Sequence, residues 1–115
     1  MSVLRERTKA FALGIIRFCG TLPLSEEARV IRRQLLRSGT SPGAHCREAY
    51  RARSNAEMIS KLETALQELD ESVYWMELLI ESDIVPPHRL HGLMQEADEL
   101  IAMTVTSVRT IKRRR

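Results

Sequence analysis

Three side chains have residue types suited to metal chemistry, but their spacing does not complete a site. His88 and His91 are three residues apart, so on a helix they can share a metal ion with a carboxylate such as Glu96. No glutamate precedes a histidine by three residues, as the di-iron sites of helical bundles require. We interpret the two histidines as surface residues near a helix end and predict no metal and no cofactor.

The two cysteines, Cys19 and Cys46, are the candidates for redox chemistry. Two cysteines cannot build a disulfide scaffold, and the N-terminus shows no signal-peptide pattern. We predict reduced, buried thiols in a cytoplasmic protein, with a redox pair or metal site as the alternative. The sequence contains no glycine-rich phosphate loop, nucleophile elbow or recognisable pair of catalytic carboxylates. We therefore expect no enzymatic activity and assign no catalytic residue.

Basic side chains recur in the second quarter of the chain and again at its end. At 3.6 residues per turn, five arginines fall within about 80° of one another on one helical face. This basic stripe consists of Arg29, Arg33, Arg37, Arg47 and Arg51. The basic tail consists of Lys112, Arg113, Arg114 and Arg115. The planar guanidinium fork suits phosphate, so the stripe and tail predict contact with nucleic acid. A solvated face, or pairing with acidic residues of a neighbouring subunit, is the alternative.

The net charge of +3 conceals two oppositely charged halves. Residues 1–54 carry eleven basic and four acidic side chains, whereas residues 55–108 carry two basic and eleven acidic ones. This distribution permits attraction between helices as readily as binding to an acidic partner. The five aromatic residues fall mostly on apolar core positions and leave no stacking platform for bases. Any binding of nucleic acid is therefore expected to be electrostatic and independent of base sequence.

Apolar spacing predicts four amphipathic helices, which must position the residues described above. They are predicted at about residues 2–22, 25–53, 55–83 and 87–112. Ser25 and Ser54 are the predicted N-caps of the second and third helices. The loops are short, so neighbouring helices are expected to be antiparallel. For 115 residues we predict one all-α domain, an antiparallel up-down four-helix bundle. The longest apolar stretch is too short to span a membrane.

Residues 38–44, with the sequence SGTSPGA, present a conflict between local propensity and length. An interior proline costs a helix about 3 kcal/mol, which favours a break at Pro42. A continuous second helix, however, would match the third helix in length. We predict one long helix that is kinked near Pro42, with small residues allowing a neighbour to approach closely. A true break is the alternative.

The third helix is apolar on more than one side. Its core positions include Leu62 and Leu69, while Tyr74, Trp75 and Leu78 project roughly 120–220° away from them. A helix of this kind needs a partner in addition to its own bundle. We predict that Tyr74, Trp75 and Leu78 form a subunit interface, with a locally wider core as the alternative.

Several segments resemble the 23S rRNA intervening-sequence family of four-helix-bundle proteins. The segments are QLLRSGTSPGAH at 34–45, EA at 48–49, KL at 61–62, AL at 65–66 and YWMELL at 74–79. His45 stands where the family pattern usually has asparagine. The resemblance covers nearly the whole chain and implies a bundle assembled into a homo-oligomeric ring, with a pentamer expected. It also implies kinship to accessory proteins of diversity-generating retroelements, which bind nucleic acid and a reverse transcriptase.

The residues and the resemblance together predict a non-catalytic, ring-forming scaffold. Its expected partners are further copies of itself and, through the basic face, either DNA or RNA, a protein such as a reverse transcriptase, or both. The alternative is a purely structural or protein-interaction oligomer with no nucleic-acid role.

Overall fold

The computed structural model describes residues 2–114, which form an elongated bundle measuring 48 × 19 × 18 Å. Its helices are α1 (Ser2–Cys19), α2 (Glu26–Tyr50), α3 (Asn55–Glu81) and α4 (His91–Arg113). No β-strand occurs in this part of the chain. The predicted all-α architecture with four helices is confirmed.

Neighbouring helices run in opposite directions. Ile15 of α1 lies against Gly39 of α2, whereas the earlier residue Thr8 lies against the later residue Gly43. The ion pairs between α2 and α3 show the same reversed order, and Lys112 near the end of α4 pairs with Glu63 in the first half of α3. Each helix packs mainly against the helices before and after it, and α1 also packs against α4. The antiparallel up-down arrangement therefore follows from the contacts.

The second and third helices begin at the predicted serine caps. Ser25 Oγ accepts a hydrogen bond from the Ala28 N–H at 3.2 Å, and Ser54 Oγ accepts one from the Glu57 N–H at 3.1 Å. The fourth helix differs from the sequence pattern, because Pro87–Arg89 form a separate 3₁₀ turn and α4 begins at His91. The N–H groups of Arg89 and Leu90 bond the carbonyls of Pro86 and Pro87 three residues earlier, and the four-residue spacing of an α-helix begins with the bond from Met94 N–H to the Leu90 carbonyl.

Pro42 does not break α2, and the prediction of one continuous helix is confirmed. Pro42 is buried, as are Leu35 and Cys46 on either side of it. The burial of this face offsets the cost of about 3 kcal/mol for an interior proline. The hydroxyls of Ser38 and Ser72 form a hydrogen bond of 3.1 Å across the α2–α3 interface. The small residue Ser38 therefore also allows close packing of α2 against α3.

The hydrophobic core runs the length of the bundle. Leu4 and Ile111 are buried at one end, and Val85 and Leu90 are buried at the other. Every buried side-chain nitrogen or oxygen among residues 2–114 has a hydrogen-bond partner. Within the same range, no helix combines the length and the apolar character needed to cross a membrane.

Candidate nucleic-acid interface

A groove between α1 and α2 collects basic side chains from both helices. Arg5 and Lys9 line it from α1, Arg47 lines it from α2, and Arg51 lines it as the residue directly after α2. Each pair is spaced by four residues, which places both members on one helical face. The groove has a volume of about 470 Å³. We call this feature the basic groove.

Small side chains line the basic groove between its cationic walls. They are Ala12, Thr40, Gly43 and Ala44. A Cβ atom at Gly43 would lie 3.5 Å from the carbonyl carbon of Thr8, so α1 and α2 approach closely here. Because no bulky side chain separates the walls, an anion entering the groove can reach cations on both helices.

The four cations of the basic groove form no ion pair with any carboxylate of residues 2–114. Two acidic residues, Glu6 and Glu48, also border the groove. Glu48 contacts His45 Nδ1 at 3.2 Å and Lys61 Nζ at 3.6 Å, and these contacts hold its pKa below the usual value. Glu48 is therefore engaged elsewhere, and the groove keeps an excess of positive charge.

Arg37, a member of the predicted basic stripe, is engaged within the chain. Its guanidinium bonds Glu68 of α3 at 3.1 Å and also contacts Glu71 of α3. Glu71 in turn accepts a hydrogen bond of 3.0 Å from Trp75 Nε1. These contacts join α2 to α3, so the charge of Arg37 is largely neutralised.

The remaining stripe residues divide between the two halves of α2. Arg47 and Arg51 join the basic groove, whereas Arg29 and Arg33 are exposed in the other half. Arg29 and Arg47 are separated by 18 positions, which corresponds to about 27 Å along the helix axis. Arg29 lies 3.6 Å from Glu26 in an exposed ion pair. Arg33 forms no ion pair within residues 2–114 either, so what distinguishes the C-terminal end of α2 is that cations of α1 lie across from it.

The basic tail leaves the bundle at the same end as the basic groove, because the end of α4 lies beside the start of α1. Lys112 Nζ lies 3.6 Å from a carboxylate oxygen of Glu63. Arg113 is the last residue of α4, and Arg114 is exposed. Arg115 lies outside the described residues. Arg113 and Arg114 therefore lie at the same end of the bundle as the groove, although they do not line it.

Tyr50 departs from the expectation that aromatic residues leave no stacking surface. Its side chain is 49% exposed, and the guanidinium carbon of Arg5 lies 4.2 Å from its ring centroid. Sequence reasoning missed this pair and also missed Lys9. The spacing of Arg5 and Lys9 by four residues was a usable signal, but nothing in the pattern of α1 indicates which part of α2 it faces.

The three residues of the predicted subunit interface lie on one part of α3. Tyr74 is 52% exposed, and its ring meets the Trp75 ring edge-on with 5.1 Å between centroids. Trp75 is partly buried against the core. Leu78 lines a depression with Ile31 and Ile84. Their role in an interface stays a prediction.

A second apolar surface was not anticipated from the sequence. Leu13 and Ile16 of α1 are exposed, and so is Leu24 in the loop before α2. Ile16 and Leu24 border a depression that Leu36 also lines. Leu13 and Ile16 belong to the longest apolar stretches of the sequence, which was the available signal. Contiguous exposed apolar residues are typical of a protein-contact surface.

Both cysteines are buried and free. Burial raises the pKa of the Cys19 thiol to about 11 and also raises the pKa of Cys46. Thiols with raised pKa values are poor nucleophiles at neutral pH. Among residues 2–114, the structure brings together no three His, Cys, Asp or Glu side chains that could hold a metal ion.

The fold and the groove define a helical-bundle protein with a cationic surface at one end. The chain belongs to the 23S rRNA-intervening sequence protein family, whose model matches residues 3–106, and the resemblance seen in the sequence is confirmed. It is similar to a crystal structure from Bacteroides thetaiotaomicron, described as a protein of unknown function from the S23 ribosomal protein family. The two share 32% identity with a TM-score of 0.86, over 91% of this chain and 97% of the other. Comparison with curated proteins gives no match.

Proposed function

We propose that this protein is a non-catalytic, homo-oligomeric scaffold that binds nucleic acid through the basic groove. The observation that carries the proposal is the convergence of cations from two helices without carboxylate partners among the described residues. Surface cations are usually dispersed or paired, whereas these face one shared space. Such a space suits a ligand that carries closely spaced negative charges.

Phosphodiester backbones meet this requirement. Arginine donates two parallel hydrogen bonds to a phosphate, and three of the four groove cations are arginines. Contacts of this type do not depend on base identity. They weaken as the salt concentration rises, because the release of counterions from the nucleic acid then gains less entropy. Arg113 and Arg114 add positive charge at the same end of the bundle. The groove therefore supports general binding of DNA or RNA.

Assembly would multiply a modest charge per chain into a larger cationic surface. The exposed apolar residues Leu13, Ile16 and Leu24, together with Tyr74 and Leu78, support self-association. A closed ring, with five subunits expected from the family resemblance, would repeat the groove around its axis. A reverse transcriptase or another protein is the further partner that the resemblance suggests.

The alternative function is a structural or protein-interaction oligomer that binds no nucleic acid. Two observations favour it. The apolar depression bordered by Ile16, Leu24 and Leu36 suits a protein partner, and Arg37 shows that α3 carboxylates can neutralise a stripe arginine. In an assembly, the acidic face of one subunit could occupy the basic groove of the next in the same way.

One binding experiment separates the two functions. Fluorescence anisotropy with duplex DNA and with structured RNA is measured near ~50 mM salt, where phosphate contacts are strong. We expect wild type to bind both ligands and Arg47→Glu with Arg51→Glu to lose about tenfold or more in affinity. The matched variant, Arg29→Glu with Arg33→Glu, makes the same charge change on the same helix outside the groove and should lose less.

The outcome that overturns the proposal is an absence of wild-type binding at low salt. If the groove variant instead loses its oligomeric state, as measured by light scattering, the arginines serve assembly and the alternative function is correct. Equal losses in the two double variants would assign binding to the whole stripe and not to the groove.

A further inference from the structure

We propose that the basic groove prefers unpaired nucleic-acid strands, with a base stacked on Tyr50 and the adjoining phosphates held between α1 and α2. This inference rests on the proposed function and deepens it by naming the class of ligand. Positive charge alone would let the groove bind any polyanion. An aromatic contact would make it select a ligand with exposed bases.

The position of Tyr50 carries the inference. Tyr50 ends α2 and directly precedes the groove residue Arg51. Its side chain is about half exposed. The guanidinium of Arg5, another groove residue, lies over its ring at 4.2 Å from the centroid. The ring and the cations therefore form one continuous surface, since Arg5 belongs to both.

Comparison with the other tyrosine shows that exposure alone does not produce this arrangement. Tyr74 is exposed to a similar extent, but its ring packs edge-on against Trp75. The exposed residues one turn before and almost one turn after it are Asp70 and Glu77, which repel phosphate. Only at Tyr50 does a half-exposed ring of residues 2–114 adjoin a cluster of unpaired cations.

An aromatic side chain next to a phosphate site discriminates between paired and unpaired strands. In a duplex, both faces of each base are covered by its stacked neighbours, so a groove protein meets mainly the backbone. In an unpaired strand, a base can turn outward and stack on an aromatic ring or on a guanidinium plane. Because Arg5 covers one face of the Tyr50 ring, a base would stack on the opposite face of this half-exposed ring or on the outer side of the guanidinium.

Anisotropy titrations with matched probes test the preference. The probes are an unstructured strand of about 12 nucleotides and a blunt duplex carrying the same number of phosphates. We expect wild type to bind the strand more tightly than the duplex. Tyr50→Leu should weaken strand binding about 5- to 150-fold, the effect of losing one base–aromatic stack, and should change duplex binding by less than about twofold.

Tyr50→Phe is the matched control, because it keeps the ring and removes only the hydroxyl. It should retain strand binding, and circular dichroism should show the same helix content in all three proteins. Strand binding should also persist better than duplex binding near ~200 mM salt, since stacking is not screened. This comparison needs only the wild-type protein.

The outcomes distinguish this inference from the proposed function. Equal wild-type affinity for strand and duplex, with equal salt dependence, overturns the preference but leaves general nucleic-acid binding intact. Tyr50→Leu and Tyr50→Phe binding the strand equally well would also overturn it. If wild type binds neither probe, both the preference and the proposed function are wrong.

Discussion

Gly39 of α2 lies so close to Ile15 of α1 that a Cβ atom at position 39 would be 2.8 Å from Ile15 Cγ1. Both residues are buried, and the β-branched isoleucine has little freedom to move away. This contact sets the separation of the two helices whose surfaces also form the basic groove. The groove therefore depends on a glycine that directly precedes Thr40, one of its lining residues.

We predict that Gly39→Ala destabilises the protein by about 1 kcal/mol. Alanine gains up to about 1 kcal/mol in helix propensity, but overpacking a buried site typically costs 1–3 kcal/mol. Urea denaturation measures the net free energy of unfolding. Gly92→Ala is the matched control, because nothing lies within 4 Å of a Cβ at that helical position, and it should leave stability unchanged or raised. A Gly39→Ala protein as stable as the Gly92→Ala protein would contradict the close contact.

The sequence predicts the bundle because the core positions repeat at helical spacing. Leu4, Phe11 and Ile15 lie on one such face, and all three are buried. At Pro42 the local penalty and the length argument disagreed, and length was the better guide because buried residues flank the proline on both sides. The helices and their order along the chain could be predicted because each helix shows its apolar spacing within its own segment of the sequence.

The candidate site was only half predictable, because it depends on how two helices face each other. The arginine spacing identified Arg47 and Arg51 but could not show that Arg5 and Lys9 lie across from them. The same spacing included Arg37, whose charge is taken up by α3 carboxylates in the structure. Which residues of two helices face each other is determined by how the helices pack. The periodic pattern of one helix alone does not predict it.

Burial of Cys19 predicts a loss of stability in alkaline solution. Its pKa is raised from 9.0 to about 11 in the folded state, so the unfolded chain releases the proton first as the pH rises. The contribution of the neutral Cys19 thiol to the free energy of unfolding is constant below about pH 9. It declines between about pH 9 and 11, by up to about 1.4 kcal/mol per pH unit. Urea denaturation of wild type and Cys19→Ala at several pH values measures it. The free energy of unfolding of the variant should fall less steeply with pH. Identical pH dependence of the two proteins would show that folding does not raise the pKa of Cys19.

The apolar residues of α3 predict self-association. At micromolar concentration, light scattering should give a mass several times 13.2 kDa, with five subunits expected from the family resemblance. Tyr74→Asp combined with Leu78→Asp should lower the mass, because both changes place charge in a surface that assembly would bury. Ser60→Asp adds charge to an exposed position of the same helix about four turns before Tyr74 and should not change the mass. A monomeric wild type, or a double variant that assembles normally, would contradict this interface.

The salt dependence of duplex binding tests the basic groove most directly. Each neutralised phosphate contributes about −0.9 to the slope of log affinity against log salt, measured from ~50 to ~200 mM. The account predicts a wild-type slope steeper than about −2, and Arg47→Gln with Arg51→Gln should reduce its magnitude by about 1.8. The reduction for Arg29→Gln with Arg33→Gln should be smaller. A slope that stays the same after loss of Arg47 and Arg51 would show that phosphates do not bind in the groove.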